Sequence, residues 1–138
     1  MYGLVQGEAN AIAPGKRMLS AMTPSIVLDP RKQLYLVVGT PGGPKIITMV
    51  YHVISNVIDH RMGLADAVAA PRMHHQALPD SLQVESDGFR SETLDSLRGR
   101  GHGVSSRGYW GDVEAIIRTE EGWQGVSDPR RGGGGAGY

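Results

Sequence analysis

The run Gly39-Thr40-Pro41-Gly42-Gly43-Pro44-Lys45-Ile46-Ile47 constrains this chain most, because an apolar strand breaks there into a glycine turn that becomes the first turn of a helix. Leu34 to Val38 suits a buried strand, two glycines remove the side chains that would block close approach, and Pro44 fits the first helical position. The spacing predicts a helix from about Pro44 to Met62, with Gly63 as its stop. At about 100° per residue, Ile46, Ile47, Val50, Tyr51, Ile54, Val57 and Ile58 fall within an arc of roughly 140° and are expected to face inward, with Thr48, His52, Ser55 and Asp59 opposite. The free N–H groups of the first turn then point back toward Gly42 and Gly43. Two anions suit such a junction: a phosphate, or the oxyanion of a tetrahedral acyl-transfer intermediate. A P-loop needs a hydroxyl after its lysine, whereas Ile46 follows Lys45, and the dinucleotide fingerprint fails as well. A tight strand-to-helix connection with no ligand stays open as a third reading.

Elsewhere short strands and helices alternate without a repeat or domain boundary, so residues 1–138 read as one α+β unit. Strands are expected near Thr23 to Leu28, Leu34 to Val38, Leu82 to Glu85, His102 to Ser105, Val113 to Thr119 and Trp123 to Ser127. The last two join through Glu120-Glu121-Gly122 as a hairpin. A short helix at Leu64 to Ala70 ends before Pro71, and another spans Ser91 to Leu97, with Ser91 as N-cap and Leu94 and Leu97 inward. A lid-like loop and turn run through Arg17, and Gly132 to Gly135 is a flexible low-complexity run. With 40% hydrophobic and 20% charged residues, the chain has the composition of a folded domain rather than a disordered tail. Lys+Arg and Asp+Glu balance at 14 each, leaving no electrostatic footprint for nucleic acid or an anionic membrane. The absence of cysteine excludes disulfides, a thiol nucleophile and a thiolate metal site, and leaves the redox compartment open. No signal-peptide pattern opens the chain and no apolar stretch reaches the roughly 18 residues that a membrane span needs, so a soluble chain is expected.

A second stretch, Gly15-Lys16-Arg17-Met18-Leu19-Ser20-Ala21-Met22-Thr23-Pro24-Ser25-Ile26-Val27-Leu28, brings a family into view. Together with Tyr2-Gly3-Leu4-Val5, Ala9-Asn10-Ala11-Ile12, the Pro-Gly-Gly turn, Ala69-Ala70-Pro71-Arg72-Met73-His74-His75-Gln76, Leu78-Pro79-Asp80, Asp128-Pro129-Arg130 and Ala136-Gly137-Tyr138, it resembles the γ-glutamyltranspeptidases. These blocks follow the family's order and match the carboxy-terminal portion of its small subunit. The resemblance implies an N-terminal-nucleophile hydrolase fold, an αββα sandwich that is incomplete in this chain. It also implies an activity: an autoproteolytically exposed threonine attacks a γ-glutamyl amide such as glutathione, forming a γ-glutamyl-enzyme intermediate. That threonine opens the small subunit in a Thr-Thr-His context. None of Thr23, Thr40, Thr48, Thr93 or Thr119 sits in one. The upstream segment of the small subunit, with the asparagine and acidic residues that hold the α-amino group, and the large subunit with its carboxylate-binding arginine are therefore the partners the resemblance calls for. By the same likeness an intact relative is exported, to the periplasm or outside the cell.

Position by position, Gly42 and Gly43 match the glycines whose amides form the family's oxyanion hole. Ser20 matches the first of two serines that bind the γ-glutamyl α-carboxylate, and Ala21 replaces the second. A neutral hydrogen bond contributes about 0.5–1.5 kcal/mol net, so this loss retunes binding before it abolishes it. Tyr2 matches the tyrosine at the end of the loop that covers the family's active site. Arg72 and Arg130 resemble arginines that brace the site through carboxylate pairs, a task that suits a bidentate guanidinium. Asp59-His60 has the look of a catalytic pair but falls at a helix end, where solvated caps are the rule. His74-His75 lacks a third ligand at a spacing such as HExxH, and neither metal nor cofactor is expected. Three functions compete on this sequence: a portion of a γ-glutamyltransferase and glutathione hydrolase that is inactive alone, a portion of a related N-terminal-nucleophile acylase, and a stand-alone non-catalytic module.

Overall fold

The computed structural model describes residues 6–137. Tyr2 lies outside the described residues. Four strands, β1 (Ser25–Leu28), β2 (Leu34–Gly39), β6 (Glu114–Arg118) and β7 (Trp123–Ser127), form one antiparallel sheet in the order β1-β2-β6-β7. A smaller sheet takes β3 (Met73–His74), β4 (Leu82–Glu85) and β5 (Val104–Arg107) in that order, with β3 antiparallel and β5 parallel to β4. The parallel pair is joined through α3 (Ser91–Gly99). Helices α1 (Ile46–Ile58) and α2 (Leu64–Ala69) pack against one face of the larger sheet.

Alternation along the strands decides which side is covered. Leu36 and Val38 of β2 and Ala115 and Ile117 of β6 point into the core, where they meet Met49, Val50, Val53 and Val57 of α1 and Leu64, Ala67 and Val68 of α2. Each fully buried aliphatic side chain of this kind contributes roughly 1.5–3 kcal/mol of transfer free energy. The register Ile26↔Val37 and Val37↔Ile116 puts the opposite set on the other face. There Ile26, Leu28, Ile116 and Trp123 are exposed. The result is an α+β layer with one helix-covered face and one bare apolar face.

Besides the unexpected two-residue strand β3 and a β1 that begins at Ser25 rather than near Thr23, four departures from the sequence reading stand out. The buried residues of α1 are Ile46, Met49, Val50, Val53 and Val57, so the inward face is rotated from the expected arc, and Ile47 (53% exposed), Tyr51 (63%) and Ile58 (46%) face outward. The apolar surface of α1 spans roughly 200° of its circumference at about 100° per residue, and the sheet and α2 cover only the side around Val53. Second, α1 stops at Ile58, four residues short of Met62, and Gly63 (φ −59°) caps the start of α2 instead. The left-handed residue between the two helices is Arg61, at φ +55°. Third, β5 begins at Val104, two residues later than expected, because the His102 amide is spent on the Leu97 carbonyl where α3 unwinds. Fourth, the N-cap of α3 is Arg90, and Ser91 is already helical with no side-chain capping bond.

Candidate active site

The strand β2 delivers the chain to Thr40, whose hydroxyl accepts the Asp112 amide and ties the turn to the segment before β6. Gly42 follows at φ +152° and Gly43 at φ +60°, both in the region that favours glycine. Gly43–Lys45 then makes one 3₁₀ turn, closed by Lys45 N–H to Gly42 O at 3.3 Å, and runs directly into α1. Neither the Gly42 nor the Gly43 N–H donates a hydrogen bond among the described residues. Two consecutive free amides therefore stand at the entry of a 13-residue helix, where the helix dipole adds to their attraction for an anion. Glycine at 42 has a packing cause as well. A Cβ there would lie 2.5 Å from Met49 Cε, and one at Gly111 would collide with Met49 Sδ and meet Arg72 Nη1 at 2.9 Å.

Two clefts open beside Gly42. One, of about 570 Å³, is bounded by Lys45, Gln83, Arg107, Tyr109 and Trp110. The other, of about 310 Å³, is bounded by Pro41, Gly111, Asp112 and Arg131. Lys45 Nζ lies 3.8 Å from the centroid of the Trp110 ring, and burial, then repulsion from Arg107, lowers its pKa. Trp110 Nε1 and Asp112 Oδ1 are both buried and have no hydrogen-bond partner among the described residues. Such orphaned polar atoms are uncommon in a finished structure and mark a place where further groups belong.

Behind the Trp110 wall lies a network of four charges. Arg72, 2% exposed, donates from Nη2 to Asp128 Oδ2 (2.6 Å) and Val68 O (3.0 Å), and from Nη1 to Trp110 O (2.7 Å). Arg130 pairs with both oxygens of Glu85, at 2.8 and 2.7 Å, and with Asp128 Oδ1 at 3.2 Å. It also donates to the Val68, Ala69 and Ala70 carbonyls, so the two arginines together satisfy the free end of α2. Glu85 accepts the Arg72 and Trp110 amides. Burial alone would raise the Asp128 carboxyl, but the Val113 and Arg130 amides and the Arg72 guanidinium outweigh it and hold it below the usual carboxylate range. Burial likewise opposes the charge on Arg130, and its carboxylate partners more than reverse the effect. The network fixes the backbone of Trp110 from both sides, and so sets the wall against which Lys45 rests.

The remaining sequence candidates fall elsewhere. Ser20 sits in an exposed, irregular segment, where its Oγ accepts the Met22 amide at 3.1 Å, and among the described residues no hydrogen bond joins it to the glycine turn. His74, 3% exposed, has Thr48 Oγ1 at 2.9 Å from Nδ1 and Gln76 Oε1 at 2.9 Å from Nε2, and His75 pairs with Asp80 and the Ala77 amide. All four ring nitrogens are thus engaged: His74 fastens β3 to the start of α1 through Thr48, and His75 ties the loop that follows β3 to itself through Asp80 and Ala77. Asp59 closes the end of α1 by accepting the Ser55 hydroxyl. Sequence reasoning read Lys45 as part of the turn and missed Glu85, Arg107, Trp110 and Asp128 as its surroundings. The carboxylate pairs expected of Arg72 and Arg130 are present, and their acidic members, which the sequence did not name, are Glu85 and Asp128.

The sequence profile described as Gamma-glutamyltranspeptidase matches residues 1–138. The chain belongs to the γ-glutamyltranspeptidase family. It is 46% identical over 131 residues to the glutathione hydrolase proenzyme of Escherichia coli K12, which covers 94% of this chain and 22% of that protein. The corresponding proenzyme of Pseudomonas aeruginosa is 42% identical over 132 residues, covering 94% of this chain and 24% of the relative. The chain thus spans less than a quarter of the length of these curated relatives. Among solved structures, the T380A mutant of Helicobacter pylori γ-glutamyltranspeptidase superposes with a TM-score of 0.89 at 47% identity, over 95% of this chain and 72% of that one. The Bacillus anthracis transpeptidase CapD, at 23% identity and a TM-score of 0.75, shares the fold. The architecture is therefore that of the N-terminal-nucleophile hydrolases, present here in part.

Proposed function

We propose that this γ-glutamyltranspeptidase chain is the carboxy-terminal part of a small-subunit domain and supplies the oxyanion-stabilising turn of a γ-glutamyltransferase and glutathione hydrolase. The observation that carries the proposal is the pair of N–H groups at Gly42 and Gly43 that donate no hydrogen bond among the described residues and are held by positive φ angles at the start of α1. Attack on a γ-glutamyl amide converts its carbonyl into an oxyanion, and two fixed amides stabilise that charge without reorganising as it forms. The attacking threonine, the ligands of the donor α-amino group and the large subunit lie outside these 138 residues. Ser20 contributes one hydroxyl to the α-carboxylate, and Tyr2 belongs to the covering loop. Arg72 and Arg130 act on the site through the backbone of Trp110. No metal or cofactor enters the scheme.

The experiment compares the full-length protein that contains this chain with its Gly43→Ala variant, using γ-glutamyl p-nitroanilide. A Cβ at φ +60° strains the turn and crowds the oxyanion, and loss of such stabilisation lowers kcat by about 10²–10³. The 138-residue chain alone is expected to release no p-nitroaniline. Near-normal kcat in a stably folded Gly43→Ala protein would reduce the turn to a connection, and turnover by the chain alone would overturn the placement of the nucleophile.

A further inference from the structure

Met49 is fully buried, yet part of what surrounds it is glycine backbone rather than apolar side chain. Its Cε stands 2.5 Å from where a Cβ on Gly42 would project, and its Sδ fills the corresponding space at Gly111. The thioether therefore runs between two glycines of different segments, the turn before α1 and the loop that enters β6. Arg72 stands on the far side of Gly111, with Nη1 2.9 Å from a Cβ built there, so the methionine links the buried ion cluster to the turn. Both glycines line the smaller cleft, and Met49, 0% exposed, backs them without reaching it. An unbranched, polarizable chain suits such a slot.

The turn needs such a support. In a trans peptide the Gly43 N–H points away from the Gly42 carbonyl, so whatever fixes that carbonyl also aims the amide. The hydrogen bond that holds the carbonyl, from the Lys45 N–H, is 3.3 Å long and correspondingly weak. Gly42 at φ +152° and Gly43 at φ +60° have no side chain of their own to limit their motion. Met49 restrains the turn from its other side, because its methyl closes the space into which the Gly42 Cα would shift. We propose that Met49 is the positioning residue of the turn: its unbranched thioether, wedged between Gly42 and Gly111, keeps the Gly42–Gly43 peptide plane aimed at the developing oxyanion. It touches neither the substrate nor the reacting atoms. The inference rests on the oxyanion reading of Gly42 and Gly43.

The test uses Met49→Leu in the full-length protein. Leucine conserves apolar volume, so folding is retained, while its branch at Cγ and shorter chain fill the slot between the glycines badly. With γ-glutamyl p-nitroanilide, kcat should fall roughly tenfold, a fraction of the 10²–10³ lost with a whole oxyanion donor, and KM should stay within about twofold. A γ-boronic acid analogue of glutamate supplies a readout that packing alone would not move. Its boron bonds to the attacking threonine oxygen, whose proton passes to solvent, and the tetrahedral boronate imitates the oxyanion; its Ki should rise by the factor by which kcat/KM falls, while the Ki of glutamate stays unchanged. Met49→Ala, which adds no atom to the slot, is the second variant and should show the same split. Kinetic constants within about twofold of the parent in both variants, a Ki for glutamate that rises with that of the boronate, or loss of folding in both overturns the proposal. Near-normal kcat in Gly43→Ala would remove the oxyanion role itself, whereas an impaired Gly43→Ala beside unimpaired Met49 variants would remove only the role of Met49.

Discussion

Replacing Asp128 with asparagine preserves the volume of the side chain and removes one charge from a balanced cluster. Arg72 and Arg130 face Glu85 and Asp128, so the substitution leaves one unit of positive charge uncompensated at a site where Arg72 and Asp128 are at most 2% exposed. Geometry adds to the loss. Asp128 Oδ2 accepts Arg72 Nη2 and the Val113 amide, and Oδ1 accepts the amide and Nη1 of Arg130. Whichever way the new amide turns, its NH₂ meets two donors. Breaking a buried pair from one side typically costs about 3–5 kcal/mol, a large share of the roughly 5–15 kcal/mol that holds a domain folded. Arg72→Met should cost a similar amount, since it strands the Trp110 and Val68 carbonyls as well as the carboxylate. The double variant restores neutrality with Arg130 and Glu85, so its cost should fall below the sum of the singles by about 0.5–3 kcal/mol. Urea unfolding of the full-length protein measures these differences, and hydrogen exchange at the Val113 amide reports the local opening. Single-variant costs below about 1 kcal/mol, or strict additivity, would refute the view that this cluster acts as one unit.

The Asp128 carboxyl is held below its unfolded value, so its contribution is present above about pH 4 and is lost as pH falls through the folded pKa; Tm measured between about pH 5 and 2 should drop steeply, and Asp128→Asn should flatten that limb. The 138-residue chain expressed alone should self-associate, because Ile26, Leu28, Ile116 and Trp123 on the sheet and Ile47, Tyr51 and Ile58 on α1 are uncovered. Sedimentation and calorimetry check this, and a monomer with one cooperative transition would contradict it.

The fold was legible where a local rule and the tertiary outcome agreed. The strand, glycine turn and helix from Leu34 onward announced themselves because glycine, proline and a 3.6-residue period act within a few residues of one another. The inward side of α1 was not legible, because Ile47, Tyr51 and Ile58 are as apolar as Met49 and Val53, and only the position of the sheet chooses between them. The start of β5 was hidden for a related reason: whether His102 belongs to a strand depends on the Leu97 carbonyl taking its amide. At the site, Gly42 and Gly43 were readable as backbone chemistry. Lys45 against Trp110 and Arg72 against Asp128 were not, since they join residues 65 and 56 positions apart and no periodicity carries that separation.

The same long-range contacts hold the turn firmly, as the proposed role of its amides requires. Met49 occupies the space left by the missing side chains of both Gly42 and Gly111, so α1, the glycine turn and the segment entering β6 share one packing point. Thr40 adds a hydrogen bond between the same two segments through the Asp112 amide. On the other flank, Arg72 Nη1 holds the Trp110 carbonyl and Glu85 holds its amide, and the ring so placed receives Lys45, two residues after Gly43. Oxyanion stabilisation depends on donors that stay put while charge develops, and an isolated glycine pair would be the least constrained dipeptide in any chain. Here its freedom is removed from both sides, by methionine packing and by a buried ion-pair cluster. A substitution in that cluster should therefore reach the turn as a shift in kcat even where no side chain contacts the substrate.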